Sequence, residues 1–303
     1  AAIHAALPDE AVRRALEGHG LGRGRIRLVA IGKAAWQMAR AAADCLGSRI
    51  ETGTVITKYA HAKGSIRDFS IFEAGHPVPD ANSFRATQAA IDSVRGLTAE
   101  DTVLFLISGG GSALFELPLV PEEELRTVTQ QLLACGADIA EMNTVRKRLS
   151  AVKGGKFAAL CAPAHVFSVV LSDVLGDRLD MIASGPAAPD YTTAEEARGI
   201  TEKYALRLSA RTQALLAAPP APFSDNVETR VTGSVRQLCL AAAERCRALG
   251  FTPYILTDCL SCTARDAGAF LASIARTHCR DGRKVAYLAG GETVVHVTGS
   301  GLG

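Results

Sequence analysis

The residues best suited to chemistry sit in Leu106-Ile107-Ser108-Gly109-Gly110-Gly111-Ser112-Ala113, three consecutive glycines between an apolar, strand-like run and a helix-like start. Glycine lacks Cβ, so its backbone enters positive-φ conformations and comes close to a ligand, while flanking serines and the free N–H groups of a helix start supply donors. The guest this suits is an anion, phosphate first. The same turn also occurs where a strand and a helix merely pack tightly.

Other segments supply charges. Lys33 follows a strand-like run and precedes a helix-like one, where its ammonium can join a helix N-terminus in facing an anion. Taken alone, it reads equally well as a solvated surface lysine. Ser172-Asp173-Val174-Leu175-Gly176-Asp177 sets two carboxylates four residues apart in a glycine-containing turn. Such oxygen ligands suit Mg²⁺ shared with substrate phosphates, or else a helix cap. Arg146, Lys147, Arg148, Lys153 and Lys156 form the densest basic stretch of the chain. That stretch reads as a solvated helix face, except that Lys153 beside Gly154 and Gly155 again pairs a cation with glycines.

Ile182-Ala183-Ser184-Gly185-Pro186 reads as a second small-residue loop or a tight turn. Gly75-His76-Pro77-Val78-Pro79-Asp80 is a loop fixed by two prolines with a histidine near its start, and a lone histidine is more often structural than catalytic. Cys259 and Cys262 have CxxC spacing, with Cys239, Cys246, His278 and Cys279 nearby in sequence, but no second CxxC completes a zinc site.

The elements that must position these residues alternate. Strand-length apolar runs recur at Ile26 to Ile31, Thr52 to Thr57, Phe69 to Glu73, Thr102 to Ser108 and Val166 to Ser172. Helix-like segments lie at Ala34 to Cys45, Ser83 to Arg95, Glu122 to Cys135 and Thr192 to Tyr204, with Asn82 and Pro121 as start signals for the second and third. This alternation predicts an α/β fold on a Rossmann-like parallel sheet covered on both faces, with ligands beyond the carboxyl ends of the strands. The proline-rich Leu216 to Pro222 breaks periodicity and reads as a linker. It divides a larger domain, residues 1–222, from the start of a smaller α/β domain, residues 223–303. The latter is expected to hold helices near Val235 to Leu249 and Thr263 to Cys279, a strand at Thr252 to Thr257, and two strands around Gly290 and Gly291.

The composition bounds the partners. The chain has 303 residues, 48% hydrophobic and 21% charged, ordinary values for a globular protein with a substantial core. Lys and Arg number 33 against 31 acidic residues, so nothing global attracts nucleic acid or an anionic membrane. No apolar run is long enough to span a bilayer and the first residues do not form a signal peptide. The eight cysteines lack the spacing of a secreted disulfide framework and are expected as reduced thiols. The reading is a cytoplasmic protein acting on a small molecule, with a homo-oligomer left open.

In their order, Ile31-Gly32-Lys33-Ala34-Ala35, Gly75 to Asp80, Ile107 to Leu114, Asn143 to Gly155, Leu171 to Pro186 and Ala289-Gly290-Gly291-Glu292-Thr293 resemble the type 2 glycerate kinases, which include bacterial proteins labelled hydroxypyruvate reductases. One glycine motif is weak; six in order over nearly the whole chain are strong. The resemblance implies phosphorylation of D-glycerate to 2-phosphoglycerate by ATP with Mg²⁺, on a larger Rossmann-like domain and a smaller C-terminal domain with the site in the cleft. Family members continue past the equivalent of Gly303 with a Gly-Arg-Asn-Gln-Glu motif and further elements. This chain is therefore expected to lack the end of the C-terminal domain.

Phosphoryl transfer asks for positioning and charge neutralisation. Lys33 is accordingly expected to stabilise charge on the transferred group or the substrate carboxylate, and Ser108, Gly109, Gly110, Gly111 and Ser112 to cradle an anion. Asp173 and Asp177 are expected to hold Mg²⁺, with Asp177 also orienting the attacking hydroxyl. Lys153, Gly154, Gly155 and Glu292 are expected to make further anion or small-domain contacts. Two alternatives stand beside this. One is a nicotinamide-dependent reductase, which lacks support because no GxGxxG follows a strand and Asp173 falls far beyond the roughly 20-residue spacing of a ribose ligand. The other is a non-catalytic module binding a phosphorylated metabolite.

Overall fold

Strands apolar on both faces need a sheet covered on both sides. The computed structural model, which describes residues 2–279 and 282–295, contains one. The chain runs α1 (Ala2–Ala5), α2 (Pro8–Leu16), β1 (Ile26–Ile31), α3 (Ala35–Leu46), β2 (Ile50–Lys58), β3 (Ser70–Ala74), α4 (Ala81–Ser93), β4 (Thr102–Ile107), α5 (Gly111–Leu114), α6 (Glu122–Ala134), α7 (Ile139–Arg148), α8 (Lys156–Cys161) and β5 (His165–Leu171). It continues with α9 (Ala194–Lys203), α10 (Ala210–Ala217), β6 (Val227–Gly233), α11 (Val235–Ala248), β7 (Thr252–Leu260), α12 (Ala264–His278) and β8 (Val285–Gly291).

The six-stranded sheet has the order β3-β2-β1-β4-β5-β6 with every neighbouring pair parallel. Alternate residues of a strand face opposite sides, and β4 shows the consequence. Val103, Phe105 and Ile107 enter a core with Ala86, Ala90 and Ile91 of α4 and Phe157 of α8. Leu104 and Leu106 enter another with Val12 of α2 and Met38 of α3. Phe105, Phe115 and Phe157 form an aromatic cluster, with centroids 4.8 to 5.9 Å apart, close behind the glycine loop in sequence and space. A third core joins Leu125, Val128 and Leu132 of α6 to Val145 of α7 and Ile200 of α9.

The strand order reverses between β1 and β4, so the crevice expected of such sheets opens at their carboxyl ends. Register fixes what meets there. Ile31 pairs with both Ile56 and Ile107, and Lys58 with Ala74, so the residues just past β1, β2, β3 and β4 share one edge.

The five strands and four principal helices read from the larger domain are present, β1 with the ends expected and the others with ends shifted by at most two residues. The proline-rich segment, read as an interdomain linker, instead leads from α10 into β6, which hydrogen-bonds along β5 in the main sheet. Its sequence, Val227-Glu228-Thr229-Arg230-Val231-Thr232-Gly233, is too polar to announce a strand, because it lies at the sheet edge with one neighbour. The start of α4 also differs from expectation: Asp80, not Asn82, caps it, accepting from Ser83 N–H while Ser83 Oγ accepts from Asp80 N–H.

Beyond β6, α11 covers a two-stranded parallel sheet of β7 and β8. Of the two strands expected around Gly290 and Gly291, β8 is one. Val294 makes a single bridge to Thr263, and residues 296–303 lie outside the described residues. No helix among the described residues is long and apolar enough to cross a membrane.

Phe157 is fully buried at the centre of the aromatic cluster. Phe157→Ala should cost about 3–5 kcal/mol, measured as a lowered urea midpoint with unchanged m-value.

Candidate active site

In a dinucleotide-binding sheet of this order, the first strand-to-helix turn offers its free N–H groups to a pyrophosphate. Here those donors are already taken. Lys33 N–H donates to Gly109 O at 2.8 Å, Ala34 N–H to Ser108 Oγ at 3.1 Å, and Ser108 Oγ in turn donates to Ile31 O at 3.1 Å. Gly32 makes this possible: at φ +108° it lies so close to Ser108 that a Cβ would strike the serine's carbonyl and hydroxyl oxygens. The turn after β1 is thus laced to the loop after β4.

That loop keeps donors of its own. Among the described residues, the N–H groups of Gly109, Gly110 and Gly111 have no acceptor. Each glycine also makes room for a neighbour. A side chain on Gly109 would collide with the Asp173 carboxylate, and one on Gly111 would lie 2.6 Å from Ala183 Cβ. A Cβ on Gly110, whose φ is +85°, would stand 3.0 Å from His76 Nε2 and 3.1 Å from Lys33 Cε. Lys33, His76 and Asp173 therefore converge over the glycines. The Lys33 ammonium is exposed and has no hydrogen-bond or ion-pair partner among the described residues.

A cleft of about 480 Å³ opens from this point, lined by Lys33, Ser108, Gly109 and Asp173 on one side, with Ser234 at the start of α11 and Glu292 after β8. A second, of about 410 Å³, lies beyond Lys33 and is lined by Trp36, Gln37, His61 and Lys63.

A family model described as "Domain of unknown function (DUF4147)" matches residues 1–217. A D-glycerate 2-kinase of Thermotoga maritima is 50% identical over 308 residues, covering 99% of this chain and 73% of the relative. The chain belongs to the glycerate 2-kinase family. A glycerate 2-kinase of Pyrococcus horikoshii is 38% identical, covering 92% of this chain and 66% of its own length. The crystal structure of a glycerate kinase from Thermotoga maritima superposes with a TM-score of 0.93 at 49% identity, over 100% of this chain and 74% of that one. The chain thus spans from about two thirds to three quarters of these kinase relatives.

Within this kinase fold, several expected residues act differently from their sequence reading. Lys153, expected to contact an anion, is fully buried, and its ammonium donates to Ser112 O at 2.8 Å and Phe115 O at 2.9 Å and pairs with Glu116 at 3.1 Å. Its hydrogen bonds and its ion pair are all made beneath the loop. Gly154 and Gly155, at φ +60° and +80°, donate to Ser184 O and Gly185 O, so they are a close packing of two turns and not an anion cradle. Ser108 likewise spends its hydroxyl on the β1 turn. Ser112 Oγ lies 2.9 Å from Ser184 Oγ, which donates to Asn143 Oδ1 at 2.9 Å.

The basic stretch around Lys153 is not a solvated face either. Lys147 and Arg148 are buried, Lys147 pairs with Asp190 at 3.4 Å, and Lys156 donates to Lys147 O and Ser150 O. Arg146 donates to Ser112 O at 3.1 Å. Burial, only partly offset by Glu116, lowers the Lys153 pKa to about 8.

Asp173 and Asp177 part company. Asp173 stands against Gly109 in the larger cleft, whereas Asp177 lines a separate pocket of about 210 Å³ with Arg236, Asp258 and Cys259. The intervening turn is tight enough to hold Asp177 at φ +52°, and a spacing of four residues does not carry both carboxylates to one point. Among the described residues, no three His, Cys, Asp or Glu side chains gather as a metal site, the cysteines included. Glu292 is exposed on the wall opposite Lys33.

His76 and Lys58 carry little signal in sequence, since one lone histidine or lysine resembles another. The detectable cue was position: Lys58 closes β2 and His76 follows β3 at the carboxyl edge of the sheet. The loop bearing His76 is pinned by Asp80, which accepts from Tyr59 Oη at 2.7 Å as well as capping α4.

The Lys153 site yields a pH-dependent expectation. Lys153→Met should destabilise the protein by about 3–5 kcal/mol at pH 7 by leaving the buried Glu116 with only the longer ion pair to Arg146 at 3.9 Å. Lys153 titrates near 8 when folded and at the ordinary 10.5 when unfolded, so between these values the unfolded chain binds more protons. The stability gap between wild type and Lys153→Met should therefore widen as pH rises from about 8 to about 10.5, measured by urea unfolding at each pH.

Proposed function

We propose that this chain transfers the γ-phosphoryl group of ATP to the 2-hydroxyl of D-glycerate in the cytoplasm, giving ADP, 2-phosphoglycerate and the proton released from the hydroxyl. The observation that carries this reading is the free N–H row of Gly109 to Gly111 beside the unpartnered ammonium of Lys33, in a crevice that holds Asp173. The relatives named as D-glycerate 2-kinase and glycerate 2-kinase supply the substrate class.

In this mechanism the glycine N–H groups hold phosphate oxygens, and Lys33 neutralises charge that grows on the phosphoryl group as it leaves the donor. The lacing to β1 holds the loop and the backbone of Lys33 in place. Mg²⁺ fits the carboxylate of Asp173 beside the glycine loop, since this ion takes one or two carboxylates and completes its shell with phosphate oxygens and water. Asp173 would hold it, and the ion would draw charge from the donor's phosphates. Asp177 belongs to the neighbouring pocket and takes no step. Glu292 is proposed to close the cleft from the smaller unit, facing the donor or its sugar.

A nicotinamide reductase fits less well. The turn after β1 has no free N–H groups for a pyrophosphate, because Gly109 O and Ser108 Oγ occupy them. The test is a coupled assay of ADP release with ATP, Mg²⁺ and D-glycerate. Lys33→Ala should fold as the wild type does, by circular dichroism, and lose on the order of 10²-fold or more in kcat. Glycerate-independent ADP release, or unchanged turnover in Lys33→Ala, would overturn the reading.

A further inference from the structure

The carboxyl edge of the sheet presents its charged groups in strand order: His76 after β3, Lys58 closing β2, Lys33 after β1, the glycine loop after β4, and Asp173 after β5. Cations gather at one end and the carboxylate stands at the other. A nucleotide's phosphates are served by the glycine N–H groups and by the metal that Asp173 would hold, which places them toward β4 and β5. Two groups are then left without a task. Lys58 is half-buried, level with Lys33 by the pairing of Ile31 with Ile56, and its ammonium has no hydrogen-bond or ion-pair partner among the described residues. His76 is half-buried too, with its Nε2 edge over Gly110 beside Lys33, and its ring likewise has no hydrogen-bond partner among the described residues.

Resting on the functional reading above, we propose that Lys58 and His76 form the carboxylate-recognition half of the site and, with Lys33, select a small 2-hydroxy acid over an uncharged alcohol. A carboxylate there would meet the Lys58 ammonium and an imidazole N–H while its neighbouring hydroxyl lay toward Lys33 and the glycine loop. Two half-buried donors without acceptors suit an anionic guest, since desolvated cations gain most from a charged hydrogen-bond partner. Burial, then the charges of Lys33 and Lys58, lower the His76 pKa from its ordinary value, with Asp173 opposing and His61 adding to the effect. Lys58 and Lys33 supply fixed charge, and the imidazole adds an N–H donor beside them.

Trp36, the single tryptophan of the chain, lines the cleft beside Lys33 and gives an equilibrium readout independent of turnover. D-glycerate and, separately, ATP would be titrated against the wild type, Lys58→Met, His76→Asn and the charge-retaining Lys58→Arg by fluorescence, with glycerol as the control lacking a carboxylate. Lys58→Met and His76→Asn should each weaken D-glycerate binding roughly 10- to 100-fold while leaving ATP binding within about twofold, Lys58→Arg should restore most of the loss, and glycerol should not compete. Unchanged D-glycerate affinity in both variants, or an equal loss for ATP, would overturn this assignment and leave the kinase reading standing. A wild type that bound ATP but no D-glycerate would overturn the functional reading itself, and this assignment with it.

Discussion

Everything at the carboxyl edge of this sheet depends on the lacing of the β1 turn to the β4 loop. Three hydrogen bonds, from Lys33 N–H, Ala34 N–H and the Ser108 hydroxyl, consume the donors that a nucleotide-binding sheet ordinarily offers after its first strand. The free donors consequently move one strand along, to Gly109 to Gly111. The exchange also fixes the backbone of Lys33, so that its side chain rises from a rigid turn. Gly32 is the condition for it, because only a residue without Cβ can lie against Ser108 at that φ.

Beneath the loop, the support is electrostatic. Lys153 is an ammonium with no access to water, held by two carbonyls and Glu116, and such a group is tolerated only when its partners are in place. Ser112 O receives both Lys153 and Arg146, which ties the far end of the glycine loop to α7. Ala183 and Ser184 adopt left-handed conformations that cost energy in residues bearing a Cβ, and they do so where Gly111 and Gly154 receive them. Rigidity of this kind suits phosphoryl transfer, which asks the protein for fixed dipoles and little motion of its own.

Charge order along the edge then divides the labour. Asp173 stands beyond the glycine loop, and Lys33, Lys58 and His76 stand before it in strand order. The second unit contributes less to this chemistry: Ser234 and Glu292 wall the cleft from outside, while α11 covers β7 and β8.

Much of this was legible in the chain itself. The parallel sheet followed from five apolar runs separated by helical periodicity, because strands buried on both faces must be apolar throughout. The glycine loop and Lys33 were legible because their types and their place after strands are local properties. β6 was not, since its polar residues reflect an edge position that only the assembled sheet creates. Nor could sequence distinguish the five cations between Arg146 and Lys156 from a solvated face: the partners of Arg146, Lys147, Arg148 and Lys153 are Asp190, Glu116 and carbonyls tens of residues away. The spacing of Asp173 and Asp177 suggested one site, and the turn between them made two. By itself, then, the sequence determined the elements, the carboxyl edge where the loops gather and the glycine loop, which rest on periodicity and on the presence or absence of a Cβ. Only the tertiary structure decided which charges face the crevice and which are spent inside, because strand order and burial bring together residues that no local pattern connects.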